Sequence, residues 1–430
     1  KNILKISYSI IFLLVGTLTV NAAEKNDLLK TDWSFKGLFG KYEEIPEEWD
    51  IFGLTEKDMI TLSSGESIKK IQQIGKYPIF GSNGIIGYCD KFNESDAILI
   101  GRVGSSGSIY ELNQKAWITD NVLISKLGKK IKKKFLFYGL NYLDLNRFST
   151  KTAQPLLTQS ILRIIKIKIP PLSEQQKIAT ILSNVDNLIE STVKVITHSK
   201  KVKTGLMQKL LTRGIGHTKF KKVPWLFGRE IEIPEEWEVK CGNDICAEII
   251  VGIVIKPASL YSETGVICLR SFNIREDKIN EKDIVLISEK ANEENFKSKL
   301  RHDDVLVVRT GYPGTACVVP EKFVGGNCVD LIIVRPQSSL DSIFLSKFIN
   351  SSLAKIQIQK IQGGLAQQHF NVGEMKKIQI IFPTLAEQQK IALILSNIDA
   401  QITSQEQYKE KLLRLKTSLM QKLLTGEVRV

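Results

Sequence analysis

Two arginines stand at the head of glycine-spaced loops, Arg102-x-Gly104-x-x-Gly107 and Arg309-x-Gly311-x-x-Gly314. Each loop follows an apolar run, Ala97 to Ile100 in the first case and Val305 to Val308 in the second. Glycine lets the backbone approach a phosphate or a base edge, and a guanidinium fork can bond phosphate or guanine at two points. One such loop alone reads equally as a turn beside a surface arginine; its recurrence favours binding. Gln367, Gln368, His369 and Asn371 follow Gly363-Gly364, and side-chain amides suit adenine, although an ordinary polar loop fits as well. Lys129 to Lys134, interrupted by Ile131, reads either as a phosphate contact or as the solvated start of a helix.

Catalytic patterns are missing where they would be sought. The sequence has no G-x-x-x-x-G-K-[ST] loop, no G-x-S-x-G elbow, no G-x-G-x-x-G opening a βαβ unit, and no N/D-P-P-Y/F tetrapeptide for holding a flipped base. The four histidines lack metal-ligand spacing, and the six cysteines include no C-x-x-C pair, so they read as reduced core residues. No catalytic or metal-binding residue is expected; the chain reads as a binder. Sixty Lys+Arg against 46 Asp+Glu give a net charge of +14, which favours a polyanionic partner, nucleic acid or an anionic membrane surface. Hydrophobic content of 43% and charged content of 25% exclude the disordered, collagenous and multi-span membrane classes. At 430 residues the chain calls for two or three domains.

The elements that must position these loops come in two copies. Glu174 to Asn184 recurs as Glu387 to Asn397 with one change, and Leu206 to Thr212 recurs unchanged as Leu419 to Thr425, both 213 positions later. Ile45-Pro46-Glu47-Glu48-Trp49 recurs as Ile233 to Trp237, only 188 positions later. From Trp49 to Pro170 there are 121 positions and from Trp237 to Pro383 there are 146, so two modules of unequal length sit between repeated borders. Both read as mixed α/β, with strands at Tyr77 to Phe80, Ile85 to Cys89, Ala97 to Ile100 and Ser108 to Leu112, and at Val266 to Leu269, Val305 to Val308, Thr315 to Val319 and Leu331 to Val334. Trp49 and Trp237 read as core anchors.

After each module a long amphipathic helix is expected. Ser173-x-x-Gln176 has the form of a capping box, with Thr384-x-x-Glu387 serving the copy. Ile178, Ile181, Val185, Leu188, Val195, Val202 and Leu206 form one apolar ladder, and Ile391, Ile394, Ile398, Tyr408, Leu412, Leu415 and Leu419 form the other. Gly214 and Gly426 stop them. A helix of about 40 residues, roughly 60 Å long, cannot be covered by one small domain. The two matched stripes are therefore expected to pair antiparallel as a coiled coil.

This combination resembles the DNA-specificity (S) subunits of type I restriction-modification systems. The resemblance is carried by the two I-P-E-E-W segments, the helix openings around Glu174 to Ala179 and Glu387 to Ala392, the L-M-Q-K-L-L-T endings, Gly75 to Gly87, and Val308 to Gly314. It implies two pseudo-repeated target-recognition domains, 36–170 and 215–383, joined by spacer helices 171–214 and 384–430. Each domain would read half of a split site in double-stranded DNA, and the coiled coil would fix the gap. Two methyltransferase subunits and the restriction subunits would join it in the cytoplasm, with S-adenosylmethionine, ATP and magnesium on those partners rather than here. The candidate DNA contacts are Lys76, Ser82, Asn83, Arg102, Ser105, Ser106, Arg270, Asn273, Arg309, Tyr312, Gln367, Gln368 and His369.

Residues 1–35 have no counterpart in the internal copy. Lys1 and Lys5 precede an apolar run from Ile10 to Val20, and Val20 to Ala23 has the small residues of a signal-peptidase site. Against the rest of the chain, this segment reads as an extension or a misassigned start rather than a secretion signal.

Overall fold

The computed structural model describes residues 46, 48–150, 153–254, 257–361 and 369–430. The signal-like segment and the candidates Gln367 and Gln368 lie outside the described residues. The chain forms two compact units. Unit 1 holds the residues up to Glu190 together with Glu410–Val430, and unit 2 holds Ser191–Lys409.

In unit 1 the central sheet runs β2 (Ile60–Ser64), β8 (Val122–Leu127), β5 (Ala97–Gly101), β6 (Ile109–Leu112), all antiparallel. A second sheet joins β4 (Gly84–Cys89), β3 (Tyr77–Gly81) and β7 (Trp117–Ile118), and β1 (Asp50–Gly53) pairs with β9 (Lys166–Ile169). Helices α1 (Lys133–Leu143) and α2 (Gln159–Ile164) complete it. Every residue of β5 is buried, which is why its sequence is a continuous apolar run rather than an alternating one.

Unit 2 repeats the central sheet in the same order: β13 (Cys246–Val251), β22 (Leu331–Pro336), β19 (Val305–Val308), β20 (Ala316–Val318). Around it lie a hairpin of β10 (Phe220–Pro224) and β11 (Glu230–Pro234), and the pair β12 (Glu238–Cys241) with β23 (Gln379–Phe382). A sheet of β14 (Tyr261–Ser262), β18 (Val285–Ile287), β15 (Val266–Leu269) and β21 (Asn327–Cys328) and the hairpin β16 (Ile274–Arg275) with β17 (Lys278–Ile279) are added. From the start of β13 to the start of β19 there are 59 positions, against 37 from β2 to β5. Most of the extra length of the second module therefore lies between β13 and β19, in β14 to β18 and α5 (Glu289–Glu294). The remaining short helices are α4 (Gly242–Ile245), α6 (Ser342–Asn350), α7 (Ser352–Ile361) and α8 (Val372–Lys377).

The two long helices are α3 (Leu172–Arg213) and α9 (Leu385–Thr425), and each passes through both units. They contact each other antiparallel. In unit 1 the core brings Ile178 and Leu182 together with Leu423 and Leu424; in unit 2 it brings Leu206, Leu210 and Leu211 together with Ile391 and Leu395. Gly214 and Gly426 follow directly, both at positive φ, as left-handed helix stops require.

The seam differs from the sequence ladder in one respect. Ile178, Val185, Ile391 and Leu412 are buried as that ladder has it. Ile181, Leu188, Leu206, Ile394, Ile398, Leu415 and Leu419 are half-buried, whereas Val195, Val202 and Tyr408 are exposed. The second seam position falls one residue later, on Leu182, Ile196, Leu395, Ile402 and Leu423, and polar Thr192 is enclosed. A heptad alternates steps of three and four residues, and starting with the wrong step displaces every second rung.

The repeated helix openings act as clamps; Thr384 stands directly before α9, at the position expected of its cap, whereas Ser173 does not precede α3. α3 begins at Leu172, one residue before Ser173. Glu174 accepts from the Trp49 indole at 3.1 Å and from Arg429 at 2.8 Å; Glu387 accepts from the Trp237 indole at 2.9 Å and stands 2.9 Å from His217 Nε2. Gln175 and Gln388, both fully buried, reach back to the start of a helix of their own module, α1 and α6 respectively. Gln175 accepts from the Lys132 amide and Gln388 from the Asp341 amide, each at 2.8 Å. The E-Q-Q motif thus ties a module entrance, a module helix and a long helix together in each unit.

These clamps give a pH dependence. Burial raises the pKa of Glu174, but the bonds from Arg429 and Trp49 outweigh it and hold the carboxyl below its usual 4.5. A depressed carboxyl stabilises the fold above its unfolded pKa, and that contribution is lost as pH falls through the folded value. Glu174→Gln is expected to lower the stability of unit 1 by about 1–3 kcal/mol at neutral pH and to flatten its decline on the acid side, read by denaturant unfolding at a series of pH values.

Candidate nucleic-acid interface

The two glycine-spaced loops occupy the same place in the two units. β5 leads into Arg102 to Gly107 and β19 into Arg309 to Gly314. In unit 1 the Gly107 amide donates to the Gly101 carbonyl at 2.8 Å and the Leu157 amide to the Arg102 carbonyl at 2.8 Å. In unit 2 the Gly314 amide donates to the Val308 carbonyl and the Phe370 amide to the Arg309 carbonyl, both at 3.0 Å. The last glycine is required in both. Gly107 and Gly314 have φ of +82° and +80°, and a Cβ there would stand 2.4 Å from the Asn146 nitrogen or 2.3 Å from Ile358 Cδ1.

In unit 1 the β3–β4 turn meets this loop. Ser105 Oγ lies 3.3 Å from Asn83 Oδ1, and a Cβ on Gly101 would meet the Ser82 carbonyl at 3.0 Å. Ser82, Asn83, Arg102 and Ser105 are therefore gathered at one edge of the sheet, with Asn83 exposed. No described residue bonds the Arg102 guanidinium. Ser106 is buried and donates to Ser149 at 2.7 Å, so its hydroxyl holds the loop rather than facing out. Lys76 is exposed, 5.4 Å over the Tyr77 ring, at the open end of the hairpin away from the Asn83 turn.

In unit 2 the corresponding arginine is held. The Arg309 guanidinium pairs with Asp330, Thr310 Oγ donates to the other Asp330 oxygen at 3.3 Å, and Thr310 Oγ lies 2.9 Å from His369 Nδ1. Tyr312 is 83% exposed at the loop tip. The Arg270 amide donates to Asn273 Oδ1 at 3.0 Å and its guanidinium to the Asp283 carbonyl. Asn273 is fully buried, with its amide nitrogen 3.0 Å from both the Asn280 and Lys282 carbonyls; it organises the β16–β17 hairpin and presents nothing to solvent. Asp330 and Thr310 were missed by sequence reasoning. Asp330 precedes β22 as Asn121 precedes β8, so aligning the two apolar strands would have drawn attention to it.

The lysine run behaves as a helix start. Lys133 and Lys134 pair with Asp96 and Glu111, Lys130 lies over the Phe52 ring at 4.6 Å, and Lys132 is the N-cap of α1.

A profile described as "Type I restriction modification DNA specificity domain" matches residues 46–198 and 234–414. The chain belongs to this family. The specificity subunit is 28% identical over 422 residues to the type I restriction enzyme MjaVIII specificity subunit of Methanocaldococcus jannaschii, covering 92% of this chain and 96% of that one. It is 30% identical over 426 residues to the putative MjaX specificity subunit of the same organism, covering 90% and 95%. The fold matches the S subunit from M. genitalium with a TM-score of 0.59 at 17% identity, over 87% of this chain and 96% of that chain. Specificity subunits are the non-catalytic recognition components of restriction-modification complexes, and no group of three or more His, Cys, Asp or Glu among the described residues is arranged to hold a metal ion. No helix among them is long and apolar enough to cross a membrane.

Proposed function

We propose that this specificity subunit reads a bipartite site in double-stranded DNA, one half with each unit, and that α3 and α9 set the separation of the halves. The observation that carries the reading is the recurrence of one arginine-headed, glycine-closed loop at the same edge of the same four-stranded sheet in both units. In unit 1 the reading group is Asn83, Arg102 and Ser105, with Ser82 in the supporting turn. In unit 2 it is Arg309, Thr310, Tyr312 and His369, with Arg270 following β15 in a separate sheet. A free guanidinium suits guanine or phosphate, and exposed amide and hydroxyl groups suit base edges. The net charge of +14 supplies the sequence-independent attraction.

Two methyltransferase subunits would dock on the long helices, where Val195 and Tyr408, 213 positions apart, present equivalent exposed apolar positions. S-adenosylmethionine, ATP and magnesium would be held by those subunits and by the restriction subunits, in the compartment that holds the DNA. Binding to a duplex library, with the subunit assembled on its methyltransferase partners, tests the reading. Enrichment of one split sequence, with affinity falling steeply as salt rises, is expected. Salt-insensitive binding, or enrichment of no sequence, would defeat it.

A further inference from the structure

One acidic residue in each unit joins a module helix to both long helices, and the two are 213 positions apart. In unit 1, Asp186 on α3 accepts from the Tyr138 hydroxyl on α1 at 2.8 Å and from Lys416 on α9 at 2.6 Å. In unit 2, Asp399 on α9 accepts from Lys347 on α6 at 2.5 Å and from Lys203 on α3 at 2.6 Å. Lys203 and Lys416 are again 213 positions apart, and both occupy the later seam position of their helix. Tyr138 and Lys347 also correspond, each six residues after the backbone amide clamped by Gln175 or Gln388. The arrangement has therefore survived in both copies, even though the module partner is a phenol in one and an ammonium in the other.

Packing alone does not explain these residues. The Lys347 side chain is only 3% exposed and also lies 3.0 Å from Asp277, which in turn accepts from Ser346 and Asn350. Tyr138 is 1% exposed. Apolar side chains of similar size would seal such junctions without the desolvation cost of buried ions. What a carboxylate with two converging donors adds is direction: the module helix is satisfied at one height and one rotation on the helix pair, and a shift of one turn leaves the buried Tyr138 hydroxyl or the buried Lys347 ammonium unmatched. A buried polar group that fixes register in paired helices is the best attested use of such groups.

We propose that Asp186 and Asp399 are positioning residues that fix each reading unit on the paired helices and thereby select the number of base pairs accepted between the two half-sites. The proposal rests on the bipartite reading of DNA given above. Its test uses the subunit assembled with its methyltransferase partners. Affinities are measured for duplexes carrying the split site at its natural spacing, at one base pair more and one fewer, and for duplexes carrying a single half-site.

Asp399→Asn and Tyr138→Phe are each expected to reduce the preference for natural spacing by roughly tenfold, leaving half-site affinity unchanged. Tyr138→Phe keeps the ring and so guards against a merely unfolded variant. The exchange Asp186→Lys with Lys416→Asp is expected to recover part of what Asp186→Lys alone loses. Wild-type spacing preference in both single variants overturns the proposal, as does an equal loss on half-site and full-site DNA. If the unaltered complex has no spacing preference, the bipartite reading itself fails and the proposal falls with it.

Discussion

Replacing Arg102 by alanine is expected to weaken binding to the specific DNA site by about tenfold to a hundredfold, the range of one good bidentate contact of roughly 1–3 kcal/mol, and to lower the salt slope by about one. Its guanidinium carries no partner among the described residues, so its whole charge is available to DNA. Arg309, at the matching position, is paired with Asp330, so the couple is neutral in sum. Arg309→Ala should therefore disturb sequence preference in its half-site while changing the salt slope little. Asp330→Asn should raise affinity for non-specific DNA by releasing the fork. The measurement is fluorescence anisotropy over a series of salt concentrations; equal slope changes for Arg102→Ala and Arg309→Ala would show that the two loops do not differ in this way.

Trp237→Ala is expected to cost about 3–5 kcal/mol of the stability of unit 2, the range for a large aromatic removed from a packed core. Trp237 is fully buried, belongs to the main hydrophobic core of unit 2, and donates its indole N–H to Glu387. Truncation leaves a cavity and also strips one donor from a half-buried carboxylate. Trp237→Phe separates these terms. It keeps most of the apolar volume and loses the bond, for a smaller cost of about 1–3 kcal/mol. Chemical denaturation followed by circular dichroism gives both numbers. If the phenylalanine variant were as unstable as the alanine one, the bond to Glu387 rather than burial would be the larger contribution.

The sequence displayed the repeat, the long helices and their antiparallel pairing because identical segments such as Glu174 to Asn184 and Glu387 to Asn397 leave little freedom in how they are read. Strands such as β5 and β19 were equally plain as unbroken apolar runs. What periodicity could not supply was the choice between a step of three and a step of four along α3, since Ile181 and Leu182, or Val195 and Ile196, are both apolar. Glu387 reads locally as part of a capping box and Glu174 only as the start of the repeated segment; their bonds to tryptophans 150 and 125 positions earlier are tertiary and leave no local trace. At the candidate interface, Arg102 and Arg309 were legible from glycine spacing. Asn273 and Ser106 look alike on paper to exposed polar loop residues, and only the fold turns them inward. Asp330, which separates the two arginines in behaviour, stands just before β22, far along the chain from the loop it controls.

In the proposed function, two units of one chain read two separated half-sites. Its most direct test is single-molecule mapping of methylated adenines in a host without other adenine methylation, expressing this subunit with its methyltransferase partners. One split motif is expected, its halves a fixed number of unspecified base pairs apart, and it should be absent when the subunit is omitted. A single uninterrupted motif, or the same methylation without the subunit, would contradict it.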